Sequence, residues 1–184
     1  MFCKLIKCLL VSTTCLHFHT YVVLSQSDEY YYQADAGLTI VPFTIPTTTT
    51  HLLLNGNSFT SISTNFSGLN SLVEVYLNDN EISFIHPDAF LDSASTLTKL
   101  NLTNNLLTSF PELNNLELTL THFYLARNII SSLSFSSTSG LYDAVTHFDF
   151  SDNPLPWTTA AGFTFIEGFG LLVEIDISGT DCIE

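Results

Sequence analysis

The stretch KLNLTNNLLTSF, from Lys99 to Phe110, carries the reading on which the fold turns. Leu100 and Leu102 flank Asn101 as they would in a strand buried on one face, where side chains alternate between core and solvent. Asn105 then stands where an apolar side chain is expected, and Leu107 restores the apolar pattern. A single asparagine is an ordinary turn residue, so the informative question is whether the arrangement recurs. Leu72, Val75, Leu77, Asn80 and Ile82 repeat the spacing of Leu97, Leu100, Leu102, Asn105 and Leu107, and so do Leu120, Phe123, Leu125, Asn128 and Ile130. Leu52, Leu54, Asn57 and Phe59 open the series. Val145, Phe148, Phe150, Asn153 and Leu155 continue it, and Leu172, Ile175, Ile177, Thr180 and Cys182 form a weaker sixth copy. Counted from Thr49, successive copies begin 23, 25, 23, 25 and 27 residues apart.

This L-x-x-L-x-L-x-x-N-x-L pattern, with a period of about 20 to 29 residues, resembles the leucine-rich repeat family over most of the chain after residue 36. The resemblance implies an α/β-type solenoid, a curved right-handed horseshoe with a short parallel concave β-sheet and an irregular convex side. In such a fold each repeat turns sharply after its strand and leaves backbone groups facing the core. An inward asparagine offers one acceptor and two donors, so Asn57, Asn80, Asn105, Asn128 and Asn153 form a structural ladder that satisfies those groups. Thr180 takes the place in the last copy.

The chain has 184 residues and 46% hydrophobic content, enough for one elongated domain whose repeats bury each other's apolar faces. Residues 1–25 read as a secretory signal: Lys4 and Lys7 precede an apolar run that ends at Val23, Leu24 and Ser25. An uncleaved signal anchor, tethering the protein to a membrane, is the alternative. Residues 26–36 then form an acidic, tyrosine-rich N-terminal arm, 37–48 a cap-like lead-in, and 49–184 about six repeats, the last irregular. Removal of residues 1–25 leaves Lys99 and Arg127 against all 18 acidic residues, a net charge of −16. Such a balance argues against nucleic acid as a partner, because phosphate binding calls for a basic surface. It also leaves Cys182 as the one cysteine, which points to an intermolecular disulfide, a free thiol or a fragmentary sequence.

The segment GLTIVPFTIPTTTTHLLLNGN, Gly37 to Asn57, resembles the N-terminal cap and first repeat of animal extracellular leucine-rich repeat proteins, including decorin-type small proteoglycans. Pro42 and Pro46 stiffen a lead-in that would shield the first edge strand. The cysteine cluster those families place before it is missing. NPLPW, Asn153 to Trp157, resembles the opening of a C-terminal cap, again without its cysteines.

Outward strand residues of successive repeats stand in columns on the concave face. One column holds His51, Glu74, Lys99, His122, His147 and Glu174; the next holds Leu53, Tyr76, Asn101, Tyr124, Asp149 and Asp176. The candidate ligand-binding residues are Tyr76, Lys99, His122, Tyr124, Arg127, His147 and Asp149, a mixture of aromatic and polar groups suited to a peptide or glycan. His122, His147 and Asp149 raise the question of a metal or an acid–base pair. No third histidine adjoins them and no nucleophile has a matching spacing, so they read as solvated residues of an exposed sheet face. Neither catalysis, a metal nor a cofactor is expected.

Asn65 and Asn101 are glycosylation sequons, the first on the convex return and the second in the middle of the concave face. The run DEYYYQAD, Asp28 to Asp35, reads either as a disordered arm or as a sulfation segment at Tyr30, Tyr31 and Tyr32, since some small proteoglycans it resembles carry sulfated tyrosines ahead of their cap. Together these features point to a secreted, extracellular, non-enzymatic module that binds a protein or glycan in recognition, adhesion or matrix association. The alternatives are an acidic structural matrix component that gathers calcium loosely, and a fragment of a receptor ectodomain.

Overall fold

The computed structural model describes residues 29–63, 66–113, 116, 118–132, 143–154 and 169–180. Seven three-residue strands stack into one parallel sheet: β1 (Tyr30–Tyr32), β2 (His51–Leu53), β4 (Glu74–Tyr76), β6 (Lys99–Asn101), β7 (His122–Tyr124), β8 (His147–Asp149) and β9 (Glu174–Asp176), in that order. Two shorter strands, β3 (Ser61–Ile62) and β5 (Phe84–Ile85), pair in parallel on the opposite side. The chain is a leucine-rich repeat solenoid. Among the described residues no helix is long and apolar enough to cross a membrane.

The period-two alternation sets the burial of each strand. In β2, β4, β6, β7 and β8 the middle residue is buried and its two neighbours face outward. The buried column runs Leu52, Val75, Leu100, Phe123 and Phe148, and Leu54, Leu77, Leu102, Leu125 and Phe150 form a second column behind it. Register is in step throughout, with His51 opposite Glu74, Leu52 opposite Val75 and Leu53 opposite Tyr76, so each apolar residue lands on its counterpart.

After each strand of the seven-stranded sheet the chain turns through one left-handed residue. Asp35, Gly56, Asp79, Asn104, Arg127, Asp152 and Gly179 all have φ between 52° and 68°. The next residue, wherever it is asparagine, points into the core. Asn105 Oδ1 accepts from the Ile82 N–H at 2.9 Å, while its Nδ2 donates to Leu102 O in its own repeat and Leu77 O in the preceding one, each at 3.0 Å. Asn57, Asn80, Asn128 and Asn153 make the corresponding bonds. Thr180 keeps one of them, donating to Ile177 O at 2.7 Å.

A further coil precedes the six read from the sequence. Tyr30–Tyr32 is not a disordered arm: it pairs with β2, and Tyr31 occupies the core position of Leu52 with 7% exposure. Leu38 N–H bonds Asn57 Oδ1 as Phe59 N–H bonds Asn80 Oδ1, and Val41 is buried. Residues 37–48 are therefore the return of this first coil, not a lead-in outside the stack. The edge strand is Tyr30–Tyr32, so Pro42 and Pro46 do not shield His51–Leu53. Gln33 and Ala36 stand where later copies have leucine and asparagine, so the asparagine pattern starts one coil late.

Candidate functional site

The outward residues of the seven strands make one continuous face. Its centre is Lys99. The ammonium lies 5.1 Å from the ring centroid of Tyr76 and 5.9 Å from that of Tyr124, with a Glu74 carboxylate oxygen 3.9 Å away. Tyr76 donates its hydroxyl to that same Glu74 oxygen at 2.5 Å. Burial, then this bond to Glu74, raises the Tyr76 phenol above its ordinary range, so it stays protonated. The contact with Tyr76 holds the Lys99 ammonium above its usual range, against the opposing effect of burial. One cation is thus held between two aromatic faces and a carboxylate. Glu74 was not among the sequence candidates, although it stands in the same column as Lys99.

Beyond Lys99 come the two histidines. His122 and His147 are register partners whose rings lie 4.4 Å apart and within 3° of parallel. Each sets its Nδ1 against the hydroxyl of the preceding threonine, Thr121 at 2.9 Å and Thr146 at 2.8 Å. Those hydroxyls also reach the carbonyls of Thr98 and Thr121 one strand back, at 3.0 and 3.1 Å, so the rings are anchored to the sheet backbone. Burial, then the neighbouring His147 and Lys99, hold the His122 imidazole below its ordinary range; Glu74 opposes them. A third Thr-His pair, Thr50 and His51, stands at the start of β2, where the His51 ring stacks on Tyr30 at 4.3 Å.

The far end of the face is acidic. Asp149 lies opposite Asp176, and His147 opposite Glu174 with Nε2 to Oε2 at 3.9 Å. Asp149 Oδ1 accepts from the N–H and hydroxyl of Ser151 at 3.1 and 2.7 Å. Asp176 accepts from the Ser178 N–H at 2.9 Å, which holds its carboxyl below the usual range. Among the described residues no group of three or more histidine, cysteine or acidic side chains is arranged to hold a metal ion.

The face therefore brings together Tyr76, Lys99, His122, Tyr124, His147 and Asp149. Arg127 stands apart, in the left-handed turn after β7, with its Nε 3.5 Å from Asp152. Asn101 lies between Tyr76 and Tyr124 in register, and its Oδ1 accepts from the Thr103 N–H at 3.0 Å. Of the three tyrosines in β1, Tyr30 and Tyr32 are exposed, whereas the buried Tyr31 offers no access for sulfation in the folded chain. Residues 1–25, Asn65, the Leu155 to Trp157 part of the cap-like motif, and Cys182 lie outside the described residues.

A second concavity, of about 260 Å³, opens on the other side between Phe84, Pro87, Phe110 and Pro111. It falls where pairing is interrupted: β3 joins β5, and Ser109 bridges Ser132, with no pairing from Ile85 to Ser109 among the described residues.

Residues 47–107 match the model of the leucine rich repeat family. No curated protein matches the chain. Among solved structures, a chain of the TLR13-ssRNA13 complex is similar with a TM-score of 0.69 at 23% identity, over 79% of this chain and 21% of that one. A chain of the mouse RP105/MD-1 complex gives 0.55 at 22% identity, over 85% of this chain and 30% of that one. At such identities the likeness is one of fold, and the chain spans less than a third of either structure's length. Neither is a decorin-type protein. The first was solved with single-stranded RNA, so the expectation that excludes nucleic acid gains no support there.

Proposed function

We propose that this chain is a non-enzymatic recognition module that binds an extracellular protein on the outer face of its parallel sheet. The observation that carries the reading is the arrangement around Lys99, where Tyr76 and Tyr124 flank a neutralised cation. Large, rigid aromatic rings that present a polar tip supply interface area at little conformational cost, which is why tyrosine is enriched at binding hot spots. Secretion rests on the signal-like residues 1–25, and the acidic balance of the chain disfavours a phosphate backbone as ligand. Likeness to structures solved as complexes supports a binding role without naming the ligand.

The test is a screen of the secreted chain against an array of extracellular proteins, with each positive repeated on Tyr76→Ala and Tyr124→Ala. Loss of an aromatic anchor weakens binding by about 2 kcal/mol, roughly thirtyfold. Partners that ignore both substitutions would place the binding surface elsewhere.

A further inference from the structure

The sheet face carries charge of one sign that its own side chains do not offset. Among the described outward strand residues Lys99 is the one permanent cation, and it is already matched by Glu74. Asp149, Glu174 and Asp176 remain, all on the adjacent strands β8 and β9. The parallel rings of His122 and His147 stand between Lys99 and Glu174 in register, beside Tyr124 and Asp149 on their own strands. The whole chain carries 18 acidic residues against 4 lysines and arginines, so its far field favours the same sign of partner.

We infer that the sheet face takes an arginine- or lysine-bearing protein segment, apolar contacts over Tyr76 and Tyr124 and basic side chains over Asp149, Glu174 and Asp176, and releases it when the His122–His147 pair protonates. The inference rests on the proposed protein-binding role and names the partner's chemistry and its control. The Ser178 N–H holds the Asp176 carboxyl below its usual range, so its charge persists across the histidine range. The groups facing the two rings are Lys99, Glu74 and Tyr124 on one side and Asp149, Glu174 and Asp176 on the other. While the imidazoles are neutral they add no charge, and the acidic end attracts a cation without opposition from them. Once protonated, His147 adds a positive charge one strand spacing, ~4.8 Å, from Glu174, and His122 adds a second one strand farther from it. Glu174, 3.9 Å from His147 Nε2, is then satisfied within the protein. Two positive charges then stand against the three carboxylates, so most of the attraction the partner met is cancelled.

The experiment uses the full chain and a fluorescein-labelled peptide of alternating arginine and leucine, titrated at pH 7.5 and 5.5. A peptide with glutamate for arginine and a single-stranded RNA oligonucleotide serve as probes of the other chemistries. The basic peptide should bind roughly tenfold more weakly at the lower pH. His122→Gln/His147→Gln should bind it with nearly the same affinity at both. Asp149→Asn should weaken binding at pH 7.5 more than Glu81→Gln, which removes an equal charge outside the sheet face. Circular dichroism of each variant at both pH values separates lost binding from lost fold. A basic peptide that does not bind, affinity that rises on acidification, equal effects of Asp149→Asn and Glu81→Gln, unchanged pH dependence in the double histidine variant, or preference for RNA would each overturn the inference. Failure here with a tyrosine-dependent protein partner still bound would leave the broader reading standing.

Discussion

Asn80 and Asn105 share one acceptor: both donate Nδ2 to the carbonyl of Leu77, each at 3.0 Å. The sharing links two repeats through a single buried oxygen, and the same pattern joins Asn57 to Asn80 at Leu54 and Asn105 to Asn128 at Leu102. Asn105→Ala removes these donors and leaves the buried Ile82 N–H without its acceptor, so stability should fall by about 1 to 3 kcal/mol. Thr180→Ala removes the bond to Ile177 O at the half-exposed end of the sheet and should lower it less. Denaturant titration of both variants checks the order, and equal losses would tell against the ladder.

Among the described residues the Thr49 hydroxyl has no hydrogen-bond partner, although Thr49 is fully buried at the position that later repeats fill with leucine or valine. Thr49→Val keeps the shape and removes the unpaired group, so it should raise stability by about 1 kcal/mol. A rise in the denaturation midpoint without a change of slope is the expected result.

Gly56 has φ of +68°, and a Cβ added there would meet the Asp35 carboxylate oxygen at 2.0 Å. Gly56→Ala should therefore destabilise by more than the roughly 1 kcal/mol left-handed penalty alone. Adding Asp35→Ala should restore the part due to the clash and leave the backbone part, as a double-mutant cycle would show.

Most of the fold was legible because burial and hydrogen bonding leave periodic marks. Leucine recurs where the sheet meets the core, and asparagine where the turn needs an inward donor and acceptor. The first coil was hidden because Gln33 and Ala36 stand at those marked positions; the remaining signal, Tyr31, Leu38 and Val41 each 21 residues before Leu52, Phe59 and Ile62, was too sparse. The columns of the sheet face were readable, but what the side chains do across them was not. The stacking of His122 on His147 and the cradle around Lys99 depend on rotamers, to which a strand spacing is blind. A partial clue was present in the Thr-His dipeptide recurring at 50–51, 121–122 and 146–147.

His122 also makes stability depend on pH. Burial, His147 and Lys99 hold its folded-state value below that of the unfolded chain, so the unfolded state takes up the proton more readily. The stabilising contribution is therefore present above the unfolded histidine range and declines as pH falls through it. Thermal denaturation at pH 7.5 and 5.5 should show a smaller loss on acidification for His122→Gln than for the parent chain. A loss of equal size would mean that His122 does not carry the dependence.

Asn101 sets the last expectation, because a glycan there would stand on the binding face. Its register partners are Tyr76 and Tyr124, so the sugar would emerge between the two rings assigned to the ligand. Asn101 Oδ1 accepts from the Thr103 N–H, a bond that does not involve the Thr103 hydroxyl. Thr103→Ala thus abolishes the sequon while leaving Asn101 and its backbone contact in place. Chain from secreting animal cells should show an enzymatically removable mass on Asn101 that Thr103→Ala lacks. Binding on the sheet face should then be stronger for Thr103→Ala, and for the parent chain after enzymatic removal of the sugar, with the two converging on one affinity. If the glycan is present and its loss leaves affinity unchanged, the ligand docks away from Tyr76 and Tyr124, and the surface proposed here is not the one that binds.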